Sequence, residues 1–202
     1  MALALNDKVL TEAFGPSEGT ALRIKQAVMV VLGVAALAIA AKIRFPMWPV
    51  PATMQTFVVL AIGASYGLRL SSLTLGGYLL VGLLGYDVFT GSSAESFGWA
   101  YMTGATGGYL VGFFIAAVAM ASLARAGWDR SVVKMAGAML IGNIIIYAFG
   151  LPWMAYLFLE AKGIEWVMQW GLTNFIVFDA LKLGLAALLF PALWKLIGDA
   201  RR

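Results

Sequence analysis

The chain contains no histidine and no cysteine among its 202 residues. Without thiols there is no disulfide framework, no thiolate nucleophile and no zinc–cysteine site. Without imidazole there is neither a serine–histidine dyad nor a usual transition-metal site. Serines occur in Gly91-Ser92-Ser93 and Gly63-Ala64-Ser65, but no base stands near them to activate a hydroxyl. A P-loop of the Gly-x-x-x-x-Gly-Lys-Ser/Thr type is also missing, so the chain carries no nucleotide-hydrolysing motif of its own. These absences argue against an enzyme, and no metal or cofactor is expected.

Charge is scarce as well. Charged residues make up 12% of the chain and apolar residues 62%, where a soluble domain carries about 25% charge. The mean hydropathy is +0.89. This composition predicts a polytopic, all-α membrane protein whose solvent is the lipid bilayer, with room for one bundle and no separate soluble domain. The net charge of +4 is not a nucleic-acid signature, because the basic residues are spread over loop ends. The first 20 residues include Asp7, Glu12 and Glu18 and lack the apolar core and cleavage site of a signal peptide. Residues 1–24 are therefore expected to be a cytoplasmic or surface-lying segment, 25–197 a transmembrane domain and 198–202 a cytoplasmic tail.

A spanning helix needs about 20 mostly apolar residues. Charge-free runs predict six: 26–41, 45–68 (helical from near 53), 70–86, 96–124 (helical from near 106), 135–159 and 166–194. Six crossings put both termini on one side. Lys8, Arg23, Lys25, Arg69, Arg125, Arg130, Lys134, Lys195, Arg201 and Arg202 fall at the termini and in the second and fourth loops, against Lys42, Arg44 and Lys162 in the others. That bias predicts cytoplasmic termini. The outer loops are then 42–53, 86–105 and 155–170, and they hold Trp48, Trp99, Trp166 and Trp170, which suit either an interfacial aromatic belt or a lid over an outward-facing cavity.

Asp179 and Lys182 interrupt the sixth run. Three residues apart on a helix, they share one face. An ionised side chain at mid-membrane depth costs roughly 2.5–3.5 kcal/mol on insertion scales. It is tolerated where charges pair, face a polar cavity or hold a ligand, so the two read either as a binding site or as a self-satisfied brace. Gln55, after Thr53 as expected N-cap, can point into the bundle. Arg44 offers a planar fork for a carboxylate or simply ends a helix as a snorkelling cation. Asn143 is an amide in an apolar run and needs a partner, a helix or a ligand. Gly104, Gly108 and Gly112 make a small-residue ridge, from which Tyr109 could reach the cavity. Ala36 and Ala40 form a second such face, for packing within the chain or against a partner. The repeated Gly-Gly-Tyr-Leu at 76–79 and 107–110 is too short to mark an inverted repeat.

Taken in order, these segments resemble the BioY family, the substrate-binding membrane subunits of biotin transporters of the energy-coupling factor (ECF) type. The marks are Pro49-Val50-Pro51-x-Thr53-x-Gln55-Thr56, Gly85-x-x-Val88-Phe89, Thr106-Gly107-Gly108-Tyr109-Leu110-x-Gly112-Phe113, Gly142-Asn143, Gly150-Leu151-Pro152-Trp153 and Asp179-x-x-Lys182. Asp87 stands where such proteins usually have Pro, and Tyr86 is bulkier than expected. The resemblance implies a six-helix bundle in the cytoplasmic (inner) membrane with a biotin pocket open to the outside. It implies that Asp179 and Lys182 contact biotin and that Ala36 and Ala40 face a transmembrane coupling subunit, which carries two ATPase subunits. Biotin's ureido N–H groups suit Asp179 as acceptor and its ureido oxygen suits Lys182 as donor, with Asn143 behind them and Arg44 on the valerate carboxylate. In the inverted pose Lys182 holds the carboxylate. The alternatives are an S component for another vitamin, or an ion-coupled carrier in which Asp179 is a proton or sodium site.

Overall fold

The computed structural model describes residues 8–45, 47–91 and 96–199. Residues 1–7, Pro46, 92–95 with the Ser92-Ser93 pair, and 200–202 of the expected tail lie outside the described residues. The architecture is helical: α1 (Gly19–Lys42), α2 (Gln55–Leu83), α3 (Gly98–Met102), α4 (Gly107–Arg125), α5 (Val132–Gly171) and α6 (Ile176–Asp199). One two-residue hairpin, β1 (Arg44–Phe45) with β2 (Ala52–Thr53), is antiparallel and pairs Arg44 with Thr53 and Phe45 with Ala52.

Two of the long helices fold back on themselves, each at one glycine. Gly67 in α2 has φ 73° and Gly163 in α5 has φ 79°. A side chain rarely tolerates that left-handed region, so glycine permits the reversal. The α2 elbow is closed near its bend by the Ser71 hydroxyl, which donates to Ile62 O at 3.4 Å. At the far end of the arms Gln55 Nε2 donates to the Tyr78 hydroxyl at 2.7 Å. Beyond Gly163 the short second arm of α5 returns along the first, so a methyl on Gly171 would meet Leu151 and Met154.

The elbows correct the sequence expectation in three places. The turn between the second and third segments is Gly67 itself, two residues before Arg69. The expected outer loop 155–170 is helical on both sides of Gly163. The apolar run 166–194 is divided between the second arm of α5, a 3-10 turn at Thr173–Phe175 and α6. The two arms of α2 are both apolar, so hydropathy does not place that reversal, and the second arm of α5 is too short to register as a segment of its own. Asp179 consequently sits in the first turn of α6 and not in mid-segment. A carboxylate there gains from the positive end of the helix dipole, typically about 0.3–1 kcal/mol.

Small residues set the packing of α4 on α5. A methyl on Gly108 would lie 2.4 Å from Phe149 O and one on Gly112 2.9 Å from Ile146 Cα, so the backbones approach closely as small-residue faces allow. Gly104 is outside this ridge: α4 starts at Gly107, and Gly104 O instead accepts the Trp153 indole N–H at 2.8 Å. Thr53 is not the N-cap of α2, which is Met54, yet its hydroxyl still accepts the Gln55 N–H at 3.2 Å.

The described part of the N-terminal segment packs against the bundle. Val9 is wholly buried and Ala13 nearly so. Thr11 donates to Ser65 O at 2.8 Å, Arg125 pairs with Glu12 at 2.8 Å, and Arg130 donates to Lys8 O at 2.9 Å. Val9 fits because Gly67 leaves room: a methyl there would stand 3.2 Å from Val9 Cγ2. Nearby, buried Asp129 accepts the Trp194 indole N–H at 2.5 Å, and the Arg130 guanidinium lies 4.4 Å from the Trp194 ring centre.

Four helical stretches are long and apolar enough to cross a membrane, the last joining α5 and α6. Ile24, Val28, Val31 and Leu32 of α1 and Val177, Leu181 and Leu188 of α6 are at least half exposed. Apolar patches of this extent do not suit water and do suit acyl chains. The chain is a multi-pass, all-helical membrane protein.

Candidate functional site

The residues that break the apolar pattern converge on one cavity. It has about 590 Å³ of empty space, mouth included, and is walled by α2, α4, α5, α6, the β2 turn and the connection after α2. Its apolar wall includes Phe89, Phe113, Ile146 and Phe175, and its polar groups include Gln55, Thr56, Asn143, Tyr147, Asp179 and Lys182. A mostly apolar hollow with a few convergent polar groups is the usual form of a small-molecule site.

Asp179 and Lys182 are 7% and 8% exposed and both line this cavity. They do not face lipid. Lys182 Nζ lies 3.0 Å from Asp179 Oδ1 and donates to the Thr56 hydroxyl at 2.8 Å. The Tyr147 hydroxyl donates to Asp179 Oδ2. Removing two charges from water costs several kcal/mol per ion, and only good geometry with further hydrogen bonds offsets it. Here Thr56 and Tyr147 supply those bonds. The cluster is thus held in place before any ligand arrives, with its charges turned to the hollow.

Gln55, Asn143 and Tyr109 also line the cavity. Gln55 is anchored by Tyr78, whose own hydroxyl donates to Val88 O at 3.0 Å. Tyr109 spans the bundle, donating to Gly171 O at 2.8 Å while its ring lies over Gly150. Asn143 is 8% exposed and makes no side-chain hydrogen bond among the described residues. A buried amide without a partner costs about 1–3 kcal/mol, which a ligand or water in the cavity would relieve.

Arg44 does not line the cavity. It is exposed at its edge, and its guanidinium donates to the carbonyl of Thr90, a lining residue. Lys42 behaves similarly, pairing with Asp87 at 2.5 Å and donating to Phe89 O at 2.7 Å. Asp87 thus helps tie the connection after α2 to the end of α1. Trp48 packs edge-on to Trp166 with ring centres 5.7 Å apart, and Phe45 lies 5.6 Å from Phe178. Ala40 is 4% exposed, closed off within this chain, whereas Ala36 is half-buried.

Sequence reasoning did not select Tyr147, Thr56, Thr90 or Tyr101. Tyr147 carried a usable signal: it follows Asn143 by four residues and so shares its helix face. Thr56 adjoins Gln55. Thr90 and Tyr101 come from an irregular connection, where no periodicity points inward. The Thr90 hydroxyl is buried without a partner among the described residues.

Comparison with known proteins agrees with this geometry. The BioY family model matches residues 14–199. A probable biotin transporter BioY of Pyrococcus horikoshii is 33% identical over 168 residues, 83% of this chain and 95% of the relative. A biotin transporter BioY of Thermotoga maritima is 32% identical over 162 residues, 80% of this chain and 91% of the relative. Among solved structures, the S component for biotin from an ECF-type ABC transporter superposes with a TM-score of 0.68 at 19% identity, covering 89% of this chain and 95% of that one. The last likeness speaks for the fold, and the family match spans nearly the whole sequence: this chain belongs to the BioY family.

Proposed function

We propose that this chain binds biotin for uptake, as the substrate-binding S component of an ECF-type transporter, and is a carrier subunit and not an enzyme. The observation that carries the reading is the buried Asp179–Lys182 pair facing a mostly apolar cavity beside the unpartnered Asn143 amide. Family membership and the similarity to the biotin transporters named above support it.

Biotin combines a neutral ureido ring, an apolar thioether ring and a carboxylate tail. Asp179 would accept a ureido N–H and Lys182 would donate to the ureido oxygen, with Asn143 close enough in the same wall to add a bond. Phe113, Ile146 and Phe175 would cover the thioether ring. The carboxylate would lie toward the mouth, where Arg44 could take it by leaving Thr90 O. In the inverted pose Lys182 takes the carboxylate instead.

In this reading the two arms of α2 count as separate crossings, which with α1, α4, α5 and α6 makes six, and both termini are cytoplasmic. The basic-residue bias supports that orientation in the cytoplasmic membrane. The exposed face of α1, with Ala36 at its margin and Ala40 beneath, would meet the transmembrane coupling subunit, which would carry two ATPase subunits.

The test is an equilibrium titration of biotin on the purified protein, with desthiobiotin and biotin methyl ester as probes of ring and carboxylate. Saturable biotin binding is expected. Loss of affinity for the ester that persists in Lys182→Gln but disappears in Arg44→Gln would assign the carboxylate to Arg44. Absence of saturable biotin binding by folded protein would sink the proposal.

A further inference from the structure

A second cavity lies far from the first in the fold, between the N-terminal segment, the start of α1 and the α2 elbow. It has about 970 Å³ of empty space, mouth included. Its lining brings together Lys8, Lys25, Arg69 and Arg125, with Glu12 the one carboxylate among the described residues that line it.

The charges are unevenly cancelled. Arg125 is engaged by Glu12 at 2.8 Å. Lys25 donates to Thr11 O at 2.7 Å and to Phe14 O, but carbonyls are neutral and leave its charge in place. The side chains of Lys8 and Arg69 make no hydrogen bond or ion pair among the described residues, and both residues are exposed. Three cations therefore surround one hollow without a counter-charge. Leu22, Met29 and Leu68 supply an apolar wall on the same cavity.

We infer that this cavity binds a phosphate-bearing anion, carried on an anionic lipid headgroup or free in solution. Several convergent cations including an arginine fork match the charge and multiple acceptor oxygens of a phosphate. On the topology proposed above, the cavity opens at the cytoplasmic boundary of the bilayer, where basic pockets between helices meet anionic headgroups. The neighbouring leucines and methionine would lie beside the first acyl carbons. Bound there, the anion would tie the N-terminal segment to the elbow by bridging Lys8 to Arg69.

The experiment uses the full chain in two arms. In the first, the protein is extracted from vesicles of equal phosphatidylglycerol and phosphatidylcholine, and retained lipid is counted by native mass spectrometry. Preferential retention of phosphatidylglycerol is expected, reduced at least about fivefold in the double variant Lys8→Gln/Arg69→Gln. In the second, inorganic phosphate is titrated in a neutral detergent against the thermal midpoint. Stabilisation by phosphate alone assigns the site to the free anion, and lipid retention with phosphate inert assigns it to the headgroup. The charge-conserving variant Lys8→Arg/Arg69→Lys is expected to keep the effect, which separates loss of charge from loss of fold. Equal retention of both lipids with no phosphate effect, or effects undiminished in the glutamine variant, would overturn the inference.

Discussion

The Lys182 ammonium of α6 donates to the Thr56 hydroxyl of α2 at 2.8 Å, across 126 residues of sequence. This bond joins the two sides of the cavity and fixes the direction of the amine. A hydrogen bond to a charged group contributes about 1.5–3 kcal/mol. Thr56→Val preserves shape and removes the acceptor. We expect a lower thermal midpoint in detergent, while Thr56→Ser stays near the parent. Equal stability of all three proteins would show that the bond contributes nothing.

Tyr147 and Asp179 form a second such relationship. Asp179→Asn should weaken biotin binding by about tenfold or more, roughly 1.4 kcal/mol. Tyr147→Phe removes only the hydroxyl that orients the carboxylate, so a smaller loss is expected. The double variant should lose less than the sum, because the two groups act together. Calorimetric titration of the four proteins gives the coupling, and full additivity would separate Tyr147 from the site.

Gly150 and Gly184 make a matched pair of substitutions. A methyl on Gly150 would stand 2.4 Å from the Tyr109 ring, which is held by its bond to Gly171 O at 2.8 Å. Gly150→Ala should cost about 1–3 kcal/mol by overpacking. Gly184, in α6, has nothing within 4 Å of the corresponding position. Gly184→Ala should be neutral or gain up to about 1 kcal/mol from helix propensity. Thermal unfolding of both variants decides, and equal effects would contradict the packing described.

Asp129 lies in the turn before α5, outside the spanning segments, and burial raises its pKa above the ordinary 3.8, with the Trp194 hydrogen bond and the Arg130 charge opposing. A raised folded-state pKa means the folded protein holds the proton more tightly than the unfolded chain. Its contribution is complete below the ordinary value and is lost as the pH rises through the folded value. Asp129→Asn keeps an acceptor for Trp194 and removes the buried charge. The variant should therefore be the more stable protein at pH 7, with the gap closing as the pH falls toward 4. A gap that widens on acidification would mean that Arg130 outweighs burial.

Much of the site was legible because polar residues in an apolar run are conspicuous. Asp179, Lys182, Asn143 and Gln55 stood out for that reason, and the structure gathers all four around one cavity. Tyr109 was drawn in by its glycine ridge. Arg44 was read from its guanidinium alone, and its exposed place beside Thr90 O depends on the short β1–β2 pairing, for which hydropathy has no signal. Ala36 and Ala40 illustrate the same limit. Spacing places two small residues on one face, but which neighbour covers that face is a tertiary matter, and here Ala40 is covered by its own chain.

The sequence by itself determined the solvent, the helical class and the chemistry available. Scarce charge and long apolar runs require a bilayer, and an unsolvated backbone there must satisfy its own hydrogen bonds as helix. The lack of thiol and imidazole narrowed the site to carboxylate, amine, amide and hydroxyl. The tertiary structure decided where the chain reverses and which groups meet. Gly67 precedes Arg69 by two residues and Gly163 sits between Lys162 and Glu165, so charge marks a turn near each, but the reversal at the glycine itself, with positive φ, becomes visible only once the arms pack. Long-range hydrogen bonds such as Lys182 to Thr56 leave no trace in local pattern, because they depend on how whole helices settle against one another and not on the spacing within any one of them.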